Sequence, residues 1–453
     1  MSSPRSMRTC IAKSSREVEY IWATLVQYLG ASDKMSDSGF VILTMVGSYV
    51  PGYKAGGPIR SISNLATVLG EEFRFKIVTL DRDLGDTSPY PGVEAGRWLR
   101  VGNADVMYLS PGWRGLFKTV VLLRSVDRTT VLYLNGFFAR RFSILPIFLR
   151  WFGLLRPGRV ILAPRGEFSS GALRLKRIRK FLYITISRSL GLYQNVIWHA
   201  STEREVADIV RCFSKLPDIR VANALSGVEQ HRASHSKSVL AVAEDIAQGT
   251  TPPRKARPRK EAGRLRAVFV SRISRMKNLL GALQMLKDLS GEITFDIYGP
   301  QEDTKYWKEC QGVMASLPPN VRVKYNGKIE HERVRDVFAE HDLFLFPTLG
   351  ENYGHVICEA LSAGCPVLIS DQTPWRNLED EGAGWDIPLN ETERFCAVLQ
   401  QCVDADYECY SAISASAQAY AKRRLQDPEV IQANRELIQY ALLSVKSTVR
   451  SSA

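Results

Sequence analysis

The sequence predicts an α/β protein with two doubly wound, parallel-sheet domains, and three observations support this fold class. Short apolar runs typical of buried parallel strands, such as residues 41–46 and 342–346, alternate with helical segments. Several of these runs end in a glycine-containing loop that leads into a helix. Residues 228–264 interrupt the alternation with a proline-rich, basic stretch that cannot pack a core, so we interpret them as an interdomain linker.

The bulk properties indicate a globular protein with an affinity for anions. A length of 453 residues is enough for two or three domains, and 45% hydrophobic and 24% charged residues are ordinary values. The net charge of +13 favours nucleic acid, anionic lipid or phosphorylated ligands without choosing among them. The eight cysteines lack the paired spacing of a zinc or redox site, which fits a reducing, cytoplasmic compartment and predicts no metal.

The N-terminal segment, residues 1–38, is predicted to be a poorly ordered extension, and Met35 is an alternative start. Its apolar run at 20–26 is flanked by Glu17, Glu19 and Gln27, which argues against a signal peptide. No apolar run reaches the roughly 18 residues that a membrane span requires. We therefore expect a chain without transmembrane helices.

The first domain is predicted to cover residues 39–227, with strands at 41–46, 75–80, 106–109, 131–134, 160–163 and 196–201. The first strand leads into a glycine-rich loop and then a helix that ends at Leu69. Gly56 and Gly57 in this loop would let the backbone approach a ligand closely, although a glycine pair alone is commonly just a turn.

Polar residues follow several of these strands. Asp81-Arg82-Asp83 looks like a metal-binding Asp-x-Asp motif, but no further carboxylates cluster nearby, so we predict a solvated loop. Arg165, in the segment Pro164-Arg165-Gly166, either binds an acceptor or phosphate or only ties the loop down. His199 could contact an acceptor, although a lone histidine at a strand end is more commonly structural.

Two segments bear on membrane contact. Residues 142–152 are apolar and aromatic with flanking arginines, and we interpret them as a helix packed on the sheet. Residues 174–180 form a basic run on a predicted helix, for which we favour contact with an anionic membrane. The alternative for this run is a solvated helix face.

The second domain is predicted to cover residues 265–425, with strands at 265–270, 293–300, 321–329, 342–346 and 366–370 and a final helix over 426–453. Arg272 and Lys277 lie five residues apart on either side of a strand-to-helix turn. Both can therefore converge on a diphosphate at that helix start. Gly299 ends its strand at the edge of the sheet where ligands bind.

The most informative stretch is the loop and helix between the last two predicted strands. The helix over 356–363 starts after Gly354 and His355 and ends at Gly364, so its N-terminus can bind phosphate at the ligand edge of the sheet. Glu351 and Glu359 frame this helix start. Because a carboxylate only accepts hydrogen bonds, each suits a pair of sugar hydroxyls.

This stretch resembles the donor-site motif of retaining glycosyltransferases of the GT-B fold, the group 1 or family four type. Their pattern is two glutamates separated by seven residues, with an aromatic residue and a glycine after the first. Glu351, Tyr353, Gly354 and Glu359 match it. The resemblance implies two Rossmann-like domains that face each other across a cleft, with the final helix crossing back to the first domain.

The resemblance also implies roles for individual residues. Glu351 contacts the transferred sugar, Glu359 binds the ribose, and Arg272 and Lys277 bind phosphate as part of the catalytic set. The glycine-rich loop with Gly56 and Gly57 meets the donor. The donor site as a whole comprises Gly56, Gly57, Gly299, Tyr353, Gly354, His355 and Glu359. Many relatives carry an acceptor-side histidine after their fourth or fifth strand, where this chain has Asn135-Gly136 and Arg165-Gly166.

The implied function is metal-independent, retaining transfer of a sugar from a nucleotide-diphosphate sugar to a glycan or lipid-linked acceptor, without a cofactor and without a nucleic-acid partner. The Pro-Arg-Gly segment is similar to that of a bacterial polysaccharide-biosynthesis subset, which suggests work on the cytoplasmic face of the membrane. The alternatives are a non-catalytic nucleotide-sugar-binding protein and a phosphorylase or epimerase on the same fold. A phosphorylase would need a cofactor-lysine site, which we do not identify.

Overall fold

A computed structural model describes residues 40–174, 176–213, 217–225 and 259–450. The predicted N-terminal extension, residues 1–38, and nearly all of the predicted linker lie outside this range. The described chain forms two α/β domains, each built on one sheet. The second sheet begins at Arg264, and residues 259–263 already pack against the second domain through Lys260.

The first sheet has eight strands in the order β3-β4-β2-β1-β5-β6-β7-β8, and all neighbours are parallel except β3 with β4. The strands are β1 (Val41–Met45), β2 (Arg74–Leu80), β3 (Trp98–Val101), β4 (Ala104–Leu109), β5 (Thr130–Asn135), β6 (Arg159–Ala163), β7 (Val196–Ala200) and β8 (Asp218–Val221). Residues 41–45 are buried throughout and pair with β2 on one side and β5 on the other. Strand order reverses at β1, so the loop after β1 lies at the switch point where such sheets bind ligands.

The second sheet has six parallel strands in the order β11-β10-β9-β12-β13-β14. They are β9 (Arg264–Val270), β10 (Glu292–Tyr298), β11 (Val321–Tyr325), β12 (Leu343–Phe346), β13 (Val367–Ser370) and β14 (Gly384–Ile387). Here the order reverses between β9 and β12. The loops after these two strands, which carry the predicted phosphate cations and Glu351, therefore diverge around one crevice.

Helices cover both faces of the two sheets. They are α1 (Gly57–Leu69), α2 (Gly112–Arg124), α3 (Leu145–Trp151), α4 (Ser170–Arg174), α5 (Arg177–Ser189), α6 (Glu203–Cys212), α7 (Leu279–Met285), α8 (Thr304–Met314), α9 (His331–Glu340), α10 (His355–Ser362), α11 (Thr392–Asp404), α12 (Tyr407–Leu425) and α13 (Pro428–Arg450). A π-helical turn, Arg140–Ile144, precedes α3, and a 3-10 turn, Arg275–Lys277, precedes α7. No helix in the described ranges is both long and apolar enough to cross a bilayer.

The last helix joins the two domains. α13 follows the second domain in sequence, yet Leu437, Ile438 and Ala441 are buried in the apolar core of the first domain. Asn434 donates a hydrogen bond to the Asn223 carbonyl oxygen (2.8 Å). The first domain therefore completes its core with a segment from the C-terminal part of the chain.

Every predicted strand is present, and three edge strands, β3, β8 and β14, were not predicted. The apolar stretch 142–152 packs on the sheet as expected, since Phe142 and Ile147 are buried. The prediction of a solvated loop at Asp81-Arg82-Asp83 was wrong, because both aspartates are almost completely buried.

Candidate active site

A cleft lies between the two domains, at the carboxyl ends of their strands, and has a volume of about 850 Å³. The lining includes the predicted residues Gly56, Gly57, Arg165, Arg272, Lys277, Gly299, Glu351, Tyr353, Gly354, His355 and Glu359. His199 is the predicted site residue that does not line it. One interdomain cleft therefore brings together positions that lie up to about 300 residues apart in the sequence.

The buried Asp83 organises the glycine-rich loop after β1. Its carboxylate accepts hydrogen bonds from the backbone N–H groups of Tyr53 (2.7 Å), Lys54 (3.0 Å) and Leu84 (2.8 Å). A buried carboxylate needs hydrogen-bond donors such as these N–H groups. A backbone carbonyl could not take their place, because it only accepts hydrogen bonds. Asp83 is thus a positioning residue for the wall of the cleft, and not part of a solvated turn.

The glycine pair starts α1 beside this loop. Gly56 has a φ of +70°, a backbone conformation that favours glycine, and Gly57 follows with open space on its cleft side apart from His355. Arg60, one turn into α1, points across the cleft. A cation in the first turn of a helix opposes the helix dipole, so its presence there is the signal by which sequence reasoning could have found it.

Arg272 follows the end of β9, and Lys277 is the last residue of the 3-10 turn after it. Both side chains line the same cleft. Arg272 is partly exposed and pairs with Glu302 (2.7 Å). Lys277 is almost buried and forms an ion pair with Glu351. Both cations are therefore held by carboxylates in the described structure, and an incoming diphosphate would compete for them.

Backbone contacts between the two switch-point loops fix the position of Glu351. Thr348 Oγ1 and Leu349 N both donate to the Met276 carbonyl oxygen (3.0 and 2.8 Å). Glu351 N donates to the Gln372 carbonyl oxygen (3.0 Å). The carboxylate that pairs with Lys277 thus extends from a loop that is tied to the lysine's own turn.

The N-terminus of α10 lies at the cleft, where Gly354, His355 and Val356 are among the lining residues. Gly354 precedes it with a φ of +79°, and the Trp375 indole donates to the Tyr353 carbonyl oxygen (2.6 Å), which holds the turn. His355 follows, and its ring lies 4.7 Å from the Tyr353 ring. Backbone donors and the positive end of the helix dipole are therefore available for an anion at this edge of the cleft.

Glu359 lies one turn further along α10 and forms an ion pair with Arg60 from the first domain. Burial raises the pKa of the Glu359 carboxyl, and the adjacent guanidinium opposes that shift. His355 also reaches across, with Nε2 3.2 Å from Ser61 Oγ. The acid predicted to bind a ribose therefore also links the domains.

Gly299 has a structural reason to be glycine in addition to its place at the cleft. Its φ is +138°, and a Cβ atom there would lie 1.8 Å from the Ser271 carbonyl oxygen. The ends of β9 and β10 could not approach this closely with any other residue. The tight approach brings the Arg272 backbone to the cleft.

Arg165 is tied down and also lines the cleft. Its guanidinium donates to Asn135 Oδ1 (3.1 Å), Ser201 Oγ (3.3 Å) and the Tyr133 hydroxyl (2.7 Å), and its backbone has a φ of +56°. A non-glycine residue in this conformation is held there by its surroundings. Its hydrogen-bond partners are neutral, so its charge remains available to an anionic ligand.

His199 does not fit an acceptor contact. Its ring is buried, with Nδ1 2.7 Å from the Tyr133 hydroxyl and Nε2 2.8 Å from the Ala222 carbonyl oxygen. Burial lowers the pKa of His199 to about 3, so the ring stays neutral. His199 therefore supports Tyr133, and through it Arg165, from behind the cleft.

Several lining residues were not predicted. Arg204 bonds to Gln372 and Asn352 bonds to Ser201 (3.2 Å), both across the domain boundary. The cations at the cleft are Lys54, Arg60, Arg165, Arg204, Arg211, Arg272, Lys277 and Lys328, against the carboxylates Glu205, Asp208, Glu302, Glu351 and Glu359. This excess of positive charge suits a phosphorylated ligand. Among the described residues, no group of three or more His, Cys, Asp or Glu side chains could hold a metal ion.

Comparisons with known proteins agree with this geometry. Residues 252–418 match the family model described as glycosyl transferases group 1. No curated protein sequence matches the chain significantly.

Solved structures resemble the whole fold at low sequence identity. HepE of Anabaena in complex with UDP and glucose aligns with a TM-score of 0.59 at 15% identity, over 88% of this chain and 99% of that one. WaaG, a glycosyltransferase involved in lipopolysaccharide biosynthesis, aligns with a TM-score of 0.55 at 15% identity, over 87% and 98%. Sucrose-phosphate synthase of Thermosynechococcus elongatus aligns with a TM-score of 0.57 at 14% identity, over 91% and 99%.

These findings confirm the predicted fold class: the chain carries the sequence signature of the glycosyl transferases group 1 over residues 252–418 and has the two-domain GT-B fold of HepE and WaaG.

Proposed function

We propose that this protein is a retaining glycosyltransferase that moves a sugar from a nucleotide-diphosphate sugar to a glycan or lipid-linked acceptor. The observation that carries the proposal is the convergence of Arg272, Lys277, Glu351 and Glu359 with the α10 N-terminus in one interdomain cleft. This set matches the charges that develop when a sugar leaves a diphosphate.

Breaking the bond between the anomeric carbon and the phosphate oxygen leaves negative charge on the diphosphate and positive charge on the sugar ring. Arg272, Lys277 and the N–H groups at the start of α10 are fixed donors for the first charge. Such donors stabilise the transition state more than the ground state because the diphosphate carries more negative charge in the transition state than in the bound donor. The excess of cations at the cleft lets these residues work without a bound metal ion.

Glu351 has the position to hold the sugar. In the described structure its carboxylate pairs with Lys277, so a donor diphosphate that binds Lys277 releases the carboxylate for sugar hydroxyls. Glu359 and Arg60 flank the adjacent space, where the ribose is expected. The leaving phosphate can accept the proton of the acceptor hydroxyl, so this scheme assigns no protein base.

The acceptor enters from the first domain, along the wall that carries Arg165. The proposed setting is the synthesis of a bacterial surface polysaccharide at the cytoplasmic face of the membrane, with the enzyme bound peripherally. The similarity to WaaG and HepE supports testing UDP-glucose first, because HepE was solved with UDP-glucose.

The donor is tested by thermal shift with UDP- and GDP-sugars. A sugar nucleotide with the correct nucleobase should raise the Tm of the wild type, and Lys277→Ala should abolish this rise in Tm. Lys308→Ala, an exposed lysine on α8, is the matched control and should retain it.

Transfer is tested with a labelled donor and membrane-extracted acceptors. Glu351→Gln and Lys277→Ala should each lower kcat by about 10²- to 10³-fold, the usual cost of removing one transition-state contact. NMR of the product should show that the anomeric configuration is kept, and excess EDTA should leave the rate unchanged. An inverted product, or a donor that binds tightly and is recovered intact, would overturn the proposal.

A further inference from the structure

Helix α5 has an apolar face that points to solvent. Ile178, Phe181 and Leu182 are 82%, 70% and 57% exposed and lie on one side of the helix at three- and four-residue spacing. The opposite side, with Ile184 and Ser187, is buried against the domain. Packing on the domain therefore explains only one of the two apolar faces of α5.

This exposed face continues onto the end of α3. The Trp151 indole donates to the Leu190 carbonyl oxygen (3.0 Å), so the end of α3 lies beside the end of α5. The exposed apolar side chains of α5 and of the residues that follow α3 and α5 form what we call the α5 surface: Phe152, Leu154, Ile178, Phe181, Leu182, Ile186 and Leu190. A cluster of this kind is uncommon on a protein surface unless something covers it.

The net charge of the chain is concentrated in the sequence segment that contains α3 and α5. Residues 128–202 contain thirteen lysines and arginines and one carboxylate, Glu167, which gives +12 of the net charge of +13. The Glu167 carboxylate is directed inward, where it accepts a hydrogen bond from Phe138 N (2.9 Å). α5 itself carries Arg177, Arg179, Lys180 and Arg188 and no acid.

We propose that the α5 surface docks on an anionic phospholipid bilayer, with Ile178, Phe181 and Leu182 inserted among the lipids and the surrounding cations on the headgroups. Apolar side chains flanked by lysine and arginine are the pattern of interfacial helices. A second copy of the chain is disfavoured because it would bring two surfaces of high positive charge together. Nucleic acid would match the charge but would leave the apolar face uncovered.

The α5 surface is connected directly to the cleft. The loop that follows β6 lines the cleft at Gly166 and Ser169, and α4, which lines it at Ala172, leads on into α5. Lys180 Nζ donates to the Ala172 carbonyl oxygen (2.8 Å), which fixes α4 to α5. The bilayer thus lies next to the acceptor side of the cleft, and, on the basis of the proposed function, the acceptor is an amphiphile held in that bilayer.

The test is co-sedimentation of the full chain with vesicles, without any donor. Vesicles of phosphatidylcholine with about a third phosphatidylglycerol should bind the protein at least about tenfold better than pure phosphatidylcholine, since each basic side chain near such a surface contributes about fivefold. Phe181→Asp and, separately, the double variant Arg177→Glu/Arg179→Glu should each reduce binding at least about tenfold. Leu443→Asp, an equally exposed leucine on α13, should bind like the wild type.

Equal binding to neutral and anionic vesicles, or unchanged binding of both α5 variants, would overturn the proposal. So would a dimer that Phe181→Asp dissociates in light scattering, or selective binding of single-stranded RNA over vesicles. UDP-sugar thermal shift of the same variants separates the two proposals. Vesicle binding without a donor response contradicts the proposed enzyme only, whereas a donor response without vesicle binding contradicts the α5 surface only.

Discussion

The Glu359 carboxyl is a single group whose charge depends on the opposite domain. Burial raises its pKa, and the Arg60 guanidinium stabilises the ionised form. A folded-state pKa above the unfolded value of 4.5 means that stability is fully present below pH 4.5 and is lost as the pH rises through the folded pKa. Arg60 limits that loss, so removing it should expose the dependence on pH.

We predict that Arg60→Met destabilises the protein by about 1 to 2 kcal/mol near neutral pH, because it removes the cation that stabilises a largely buried carboxylate. The deficit should shrink as the pH is lowered toward 4.5, since protonated Glu359 needs no cation. Urea unfolding at both pH values measures this change. The double variant Arg60→Met/Glu359→Gln should recover most of the loss at neutral pH, and a deficit independent of pH would contradict the assignment.

His199 gives a second pH prediction. Its pKa of about 3 lies below the ordinary value of 6.5, so the unfolded chain binds a proton that the folded chain does not. The contribution of the neutral His199 ring to the free energy of unfolding is fully present above pH 6.5 and is lost as the pH falls toward 3. At about pH 5 this loss amounts to about 2 kcal/mol. His199→Gln should be less stable at neutral pH but should lose less on acidification. If His199→Gln lost as much stability on acidification as the wild type, the role of this ring would be refuted.

At the scale of elements, the unit β12–loop–α10 concentrates the site. Gly354 has a positive φ where the loop turns into α10, and a Cβ atom there would lie 2.8 Å from Ile357 Cδ1. The turn is therefore specific to glycine, and its geometry sets where the first N–H groups of α10 point.

We predict that Gly354→Ala costs about 1 to 2 kcal/mol of stability, the usual penalty for the left-handed conformation, and weakens donor binding as well. The Tm and the shift caused by a bound UDP-sugar report the two effects. Gly312→Ala, within α8 and with open space around it, is the matched control, and it should keep or slightly raise the Tm. Full donor affinity in Gly354→Ala would contradict the role of this turn.

The sequence was informative for elements whose own residues form a recognisable hydrophobic or motif pattern. The central strands are continuous apolar runs, so both parallel sheets were predictable, as was the loop from Glu351 to Gly354. β3 and β8 escaped prediction because they lie at sheet edges, have polar or mixed sequences, and depend on a partner strand for their conformation. The roles of Asp83 and Arg60 depend on contacts that only the fold creates, with partners 29 and 299 residues away, although the unfavourable place of Arg60 in the first turn of α1 was a signal in the sequence.

At the scale of the molecule, α13 and the cleft contacts hold the two domains together. Arg435 pairs with Glu72 (2.7 Å), and Leu437, Ile438 and Ala441 fill the core of the first domain. Arg60–Glu359, Ser61–His355 and Ser201–Asn352 make the corresponding links at the cleft. Domain separation therefore has to break the cleft contacts while α13 stays in place.

We predict that Ile438→Asp destabilises the protein by about 3 kcal/mol or more, because it puts an unpaired charge in the core of the first domain. Thermal unfolding followed by limited proteolysis should show the first domain becoming sensitive before the second. Leu443→Asp, on the exposed side of the same helix, should leave the Tm unchanged. Equal effects of the two variants would show that α13 is not part of that core.

The crossing of α13 also determines the order of events during synthesis. Ribosomes release a chain from its N-terminus, and domains usually fold as they emerge. Here the core of the first domain is incomplete until Leu437 to Ala441 are translated, more than 200 residues after the last strand of that domain. All strands of the second domain are translated before these residues. The nascent first domain thus keeps an open apolar groove until Leu437 to Ala441 have been translated, which makes it the part of the chain that most needs chaperone protection.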